Sequence, residues 1–149
     1  MTYFLSLGAN LGNREETIRE AIQRIEEQIG TVPCCSSFYY SEPWGFESEN
    51  RFCNVCCRLE TTMEPMEVLR ATQAIERALG RTHKTINAHY SDRIIDIDLI
   101  QAFDHEGREI RCQINDSSQK SEGRPSLILP HPLWQERDFV KIPLKEIIT

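Results

Sequence analysis

Eight residues, Arg93-Ile94-Ile95-Asp96-Ile97-Asp98-Leu99-Ile100, restrict the fold more tightly than any other stretch of the chain. From Ile95 onward, aliphatic and acidic residues alternate with the period of a strand rather than a helix. Ile95, Ile97 and Leu99 must enter a core, which leaves Asp96 and Asp98 together on the opposite face. Carboxylates two residues apart on one strand lie roughly 7 Å apart at Cβ, a spacing that can hold a pair of hard cations about 3.5–4 Å apart. A solvated strand face would carry the same charges without any chemistry. Asp is a poor strand former, however, and two of them inside an aliphatic run oppose local propensity, which favours a functional reason.

The rest of the chain reads as elements around that strand. Thr2 to Leu7 alternates with Tyr3, Leu5 and Leu7 on one face, and residues 8–13 form a turn. Asn13 opens a helix with Glu16 as a capping partner; Ile18, Ala21, Ile22, Ile25 and Ile29 form its stripe and Gly30 ends it. Thr31 to Tyr40 predicts a second strand, residues 41–50 a long loop carrying Trp44 and Phe46, and Arg51 to Thr61 a third strand. Pro65 suits the first turn of a second helix, with Met66, Leu69, Thr72, Ile75 and Leu79 inward and Gly80 at its end. Residues 81–92 are polar and aperiodic, as expected of a mobile loop. Residues 107–123 are polar and irregular, and Pro130-His131-Pro132 leads into a helical tail.

Strand, helix, strand, strand, helix, strand predicts an α+β fold: a ferredoxin-like β-α-β-β-α-β antiparallel sheet with helices on one face and a C-terminal extension, one domain over 1–149. That arrangement hosts many functions, so the side chains must decide. A net charge of −6 argues against nucleic acid or an anionic membrane as partner. No apolar run approaches a membrane span and no secretory leader is visible, so a cytoplasmic protein is expected.

Against that acidic background, Arg77, Arg81, Lys84 and Arg93 gather just before the aspartates. Cations beside paired carboxylates suit a metal-bound polyphosphate, although an exposed basic loop has the same composition. No GxxxxGK[ST] loop exists, so nucleotide phosphates would be held by metal and side chains. Phe52 and Phe139 are candidates to stack a planar heterocycle, or simply core. Asn54 faces the same way as Phe52 and offers an amide donor and an acceptor to a heterocycle edge.

The six cysteines read as structural thiols in a reducing compartment. Cys53-x-x-Cys56 has redox spacing, but residues three apart on a strand point to opposite faces, and that motif needs a helix N-terminus. A redox or zinc protein is therefore disfavoured. So is a non-catalytic ferredoxin-like binding module, which would present a basic sheet face.

Taken in order, these segments resemble one enzyme family from end to end. They are Leu7-Gly8-Ala9-Asn10-Leu11-Gly12, Ser37-Phe38-Tyr39 with Pro43 and Gly45, Phe52-Cys53-Asn54, Thr72-Gln73-x-Ile75-Glu76 with Gly80-Arg81, Arg93-x-x-Asp96-x-Asp98, Pro130-His131-Pro132 and Arg137-x-Phe139. The family is 6-hydroxymethyl-7,8-dihydropterin pyrophosphokinase. The resemblance implies transfer of the pyrophosphoryl group of ATP to the pterin hydroxymethyl group, with release of AMP. It implies that Asp96 and Asp98 hold two Mg²⁺ ions and that Arg81 and Arg93 stabilise the transferring charge. Gln73, Glu76, Lys84, His131 and Arg137 should line the ATP site. Phe52 and Phe139 should sandwich the pterin, with Asn54 and the segment Ser41, Glu42 and Trp44 reading its edge. The expectation is a monomer acting on two small molecules.

Overall fold

The structure, a computed structural model, describes residues 1–10, 12–41, 51–80, 95–114 and 127–148. In chain order it contains β1 (Thr2–Ala9), α1 (Arg14–Gln28), β2 (Thr31–Cys35), β3 (Tyr39–Ser41), β4 (Phe52–Glu60), α2 (Pro65–Gly80) and β5 (Asp96–Phe103). There follow β6 (Cys112–Ile114), β7 (Leu127–Leu129), a 3-10 turn over Trp134–Glu136 and α3 (Asp138–Ile147). The main sheet runs β2-β4-β1-β5 with β3 also on β4, and all its pairings are antiparallel. β6 and β7 pair separately. The expected ferredoxin-like order is therefore present, with β1 and β4 central. Among the described residues no helix is long and apolar enough to cross a membrane.

β1 is buried on both faces, which is why nearly all of it is apolar or small. Tyr3, Leu5, Leu7 and Ala9 pack with Val55, Cys57 and Leu59 of β4 against Ile18, Ala21 and Ile25 of α1 and Val68, Leu69 and Ile75 of α2. Burying such side chains stabilises the fold by roughly 1.5–3 kcal/mol each. Asn13 begins α1 as expected, its Oδ1 accepting the Glu16 amide at 3.3 Å. Gly30 lets the chain turn straight from α1 into β2, because a Cβ there would collide with the Glu60 carbonyl.

As expected, α1 and α2 share one face of the sheet; the C-terminal extension forms α3 and covers the other, where Val140, Leu144 and Ile147 pack on Phe4, Cys56 and Ile100. A bulge makes this possible. β5 pairs Leu99 with Leu5 but Gln101 with Phe4, so the extra residue, Ile100, turns toward α3. The single strand expected over Thr31 to Tyr40 is two, β2 and β3. Ser36 interrupts it by taking the Cys56 amide on its own Oγ at 2.9 Å, in place of a ladder carbonyl. The next residue is held by α3, because Glu146 accepts both the Ser37 amide (3.1 Å) and its hydroxyl (2.8 Å). Those bonds lower the Glu146 pKa.

Candidate active site

Strand register brings the chemistry together. Leu7 lies between Val55 and Ile97 and points into the core. Its neighbour Gly8 lies between Asn54 and Asp96, and Ser6 lies between Cys56 and Asp98. These two cross-strand rows face the α3 side of the sheet, as the alternation in Ile95–Leu99 requires. With strands about 4.8 Å apart, Asn54 and Asp96 stand on the order of 10 Å from one another across Gly8. Phe52 shares their face by register, and Phe139 of α3 packs at the same side.

Gly8 is the space in this row. A Cβ on it would lie 3.0 Å from Asn54 Oδ1 and 3.7 Å from Phe52 Cδ1. Asn54 is 2% exposed, and its amide nitrogen donates to Tyr39 O at 3.1 Å and Ser41 Oγ at 2.8 Å. Both donors are thus engaged inside the protein, which corrects the expectation that the amide offers a donor and an acceptor to a ligand. What remains to face a ligand is Oδ1. Ser41, expected to contact substrate, supports Asn54 through its hydroxyl.

α2 supplies a third carboxylate. Glu76 Oε2 accepts the Ile97 amide at 3.0 Å, at the residue between the two aspartates. Burial, then the neighbouring Asp96 charge, push the Glu76 pKa up from 4.5 to about 8, with Asp98 adding to the rise and the Ile97 amide opposing it. Gln73, one turn earlier, lies on the same side of α2. Glu76 was expected to line an ATP site; its hydrogen bond to the β5 backbone is a feature no spacing announced, since it depends on how α2 meets the sheet edge.

The C-terminal segment closes the same edge. His131 N donates to Ile100 O at 2.8 Å, and His131 Nδ1 accepts the Leu133 amide at 3.2 Å, which places the proton of the neutral ring on Nε2. Burial lowers the His131 pKa; Arg137 lowers it further and Asp96 raises it, so the ring lies within electrostatic reach of both. The Arg137 guanidinium sits 5.8 Å from the Phe139 ring centroid. The structure therefore gathers Phe52, Asn54, Glu76, Asp96, Asp98, His131, Arg137 and Phe139 around one end of the sheet. Glu42, Trp44, Arg81, Lys84 and Arg93 lie outside the described residues.

The carboxylate cluster predicts a pH dependence. In the metal-free fold Glu76 holds a proton that the unfolded chain releases near 4.5, so the native state binds more protons between 4.5 and about 8. The contribution is full below 4.5 and lost as pH rises through about 8. Urea unfolding of the metal-free protein should show stability falling across that window, and Glu76→Gln should flatten the fall. Parallel curves for parent and variant would remove the crowding of Glu76 by the aspartates.

Among the described residues no three His, Cys, Asp or Glu groups form a complete metal cage. Asp96 and Asp98 alone suit an ion that keeps most of its shell for water and substrate phosphates, the usual habit of Mg²⁺. The hard oxygen donors and the crowding that pushes Glu76 up both fit a divalent cation there.

Comparison with known proteins gives these features a context. A family model described as 7,8-dihydro-6-hydroxymethylpterin-pyrophosphokinase (HPPK) matches residues 4–149. A Porphyromonas gingivalis protein named 2-amino-4-hydroxy-6-hydroxymethyldihydropteridine pyrophosphokinase is 39% identical over 144 residues, covering 97% of this chain and 88% of that one. A Bacillus subtilis protein of the same name is 34% identical over 145 residues, covering 97% and 76%. A solved structure of HPPK-DHPS in complex with substrates matches with a TM-score of 0.65 at 16% identity, over 99% of this chain and 40% of that one, a likeness of fold.

Proposed function

The chain belongs to the 7,8-dihydro-6-hydroxymethylpterin-pyrophosphokinase family, and from that premise we propose the reaction and the role of each residue. The reaction is transfer of the pyrophosphoryl group of ATP to the hydroxymethyl group of 6-hydroxymethyl-7,8-dihydropterin, yielding AMP and the pterin diphosphate for folate synthesis. The observation that carries the site assignment is the row Asn54–Gly8–Asp96 across three strands. It sets a hydrogen-bond acceptor for a heterocycle and a carboxylate for a metal-bound phosphate about one small molecule apart.

In this reading Phe52 and Phe139 hold the pterin by its faces, Asn54 Oδ1 accepts from its edge, and Gly8 leaves the room. Asp96 and Asp98 hold Mg²⁺, which when bound neutralises phosphate charge and aligns the triphosphate with the attacking hydroxyl. Gln73, Lys84, His131 and Arg137 line the nucleotide side, and Arg81 and Arg93 meet charge as it develops during transfer. Glu76 positions β5 through the Ile97 amide, so that the two aspartates keep their spacing. The chain acts as a monomer in the cytoplasm on these two small molecules.

The direct test is to incubate the protein with MgATP and 6-hydroxymethyl-7,8-dihydropterin and separate the nucleotides by chromatography with mass detection. AMP formed in step with a pterin diphosphate is the expected result. ADP would make the enzyme a monophosphoryl kinase, and no turnover would overturn the catalytic reading.

A further inference from the structure

The edge strand β2 meets β4 with Cys34 opposite Arg58 and Cys35 opposite Cys57. The Ser36 amide donates to the Cys56 carbonyl at 2.8 Å. Hydrogen-bonded and non-hydrogen-bonded pairs alternate along an antiparallel ladder, so Cys35 and Cys57 form a non-hydrogen-bonded pair. Such pairs bring their Cα atoms to about 4.5 Å, inside the ~4.4–6.8 Å span that a disulfide bridges. Each thiol is the leading influence on the pKa of the other.

No other pair among the six cysteines has this placement. Cys53 packs in the core on the α1 and α2 side, and Cys56 on the α3 side, so the Cys53-x-x-Cys56 spacing joins opposite faces as the strand period requires. Cys34 also packs toward α3, and Cys112 lies in the β6–β7 sheet.

The environments of Cys35 and Cys57 divide the labour between them. Cys35 is exposed and Cys57 is fully buried. Interaction with the Cys57 thiol favours the Cys35 thiolate and lowers its pKa, while burial and Glu26 of α1 oppose that shift. The same interaction and burial raise Cys57 well above the ordinary thiol value, with Cys34, Cys35 and Cys56 adding to the rise. An accessible thiol whose ionisation is favoured therefore faces a shielded partner whose ionisation is disfavoured, the arrangement of a reactive cysteine and its resolving thiol.

We propose that Cys35 and Cys57 are a hydroperoxide-reactive thiol pair that closes reversibly to a cross-strand disulfide. The Cys35 thiolate attacks one oxygen of hydrogen peroxide, the O–O bond breaks, and the departing hydroxide takes up a proton to leave as water. The product is a Cys35 sulfenic acid. The Cys57 sulfur then attacks the Cys35 sulfur while its proton passes to the leaving hydroxyl, which departs as a second water as the S–S bond forms. Two thiols lose two electrons in total, and one peroxide becomes two waters.

The test uses the reduced full chain treated with near-stoichiometric hydrogen peroxide and read by intact mass, thiol titration and fragmentation of a non-reducing digest. The expected result is loss of two hydrogens, two fewer titratable thiols and a cross-link assigned to Cys35 and Cys57, all reversed by dithiothreitol. Cys35→Ser, at an exposed position, should abolish the link, and Cys34→Ser should keep it. Oxygen addition at Cys35 without a link, a link surviving in Cys35→Ser, or one lost in Cys34→Ser would each overturn the assignment. None of these readouts depends on the catalytic reaction.

Discussion

Asp96→Ala and Asp98→Ala should each lower kcat/KM by about a thousandfold or more, equivalent to several kcal/mol of transition-state stabilisation. Both side chains leave β5 on the α3 side, while the backbone pairing with Gly8 and Ser6 is unchanged by truncation. The fold should therefore survive, and the loss should be one of chemistry. The pH dependence of stability should change as well. Asp96 is the leading charge that pushes Glu76 up, after burial itself. Removing it reduces the proton uptake that folding imposes on Glu76, so the loss of stability between pH 4.5 and about 8 should be smaller in metal-free Asp96→Ala than in the parent. A group that crowds a neighbouring carboxylate in the empty fold yet is required for turnover is the mark of a site built for a cation. Steady-state kinetics beside urea unfolding would check both halves. Activity within tenfold of the parent would end the metal-binding role.

Much of this site was legible in the sequence because a strand writes its two faces in alternate letters. Ile95, Ile97 and Leu99 against Asp96 and Asp98 gave the core face and the reactive face without any knowledge of neighbours. The same period told Cys53 from Cys56. What was illegible involves pairs distant in sequence. Glu76 reaches the Ile97 amide only because α2 lies along the edge of β5, and an i, i+3 pattern on a helix does not name the strand it meets. Ser36 splits an otherwise convincing strand through a side-chain hydrogen bond to a residue twenty positions away. α3 carries a clear amphipathic pattern, but nothing local says that the sheet needs a cover on its second face; that follows from β1 being apolar on both sides. Gly8 shows the limit most plainly. It reads as the start of a turn, yet it lies within β1, and its importance comes from Asn54 and Phe52 on the neighbouring strand.

Asn54→Ala and Gly8→Ala separate support from recognition at that point. Asn54→Ala removes both side-chain bonds, to Tyr39 O and Ser41 Oγ, that reinforce the β3–β4 pairing. Losing buried polar partners costs about 1–3 kcal/mol, so denaturant stability should fall by roughly that amount. The variant also loses Oδ1, and if that atom accepts from the pterin edge, pterin KM should rise at least about tenfold with ATP KM unchanged. Gly8→Ala leaves the Asn54 bonds in place but sets a methyl 3.0 Å from Oδ1, on the side where the ligand is expected. It should raise pterin KM by a similar factor with a much smaller loss of stability, because the neighbour that must give is a side-chain oxygen rather than backbone. Isothermal titration of pterin with each variant, alongside urea unfolding, distinguishes the two roles. Parent-like pterin affinity in Gly8→Ala would confine Asn54 to tying β3 to β4, and the pterin edge would then have to be read from elsewhere in the chain.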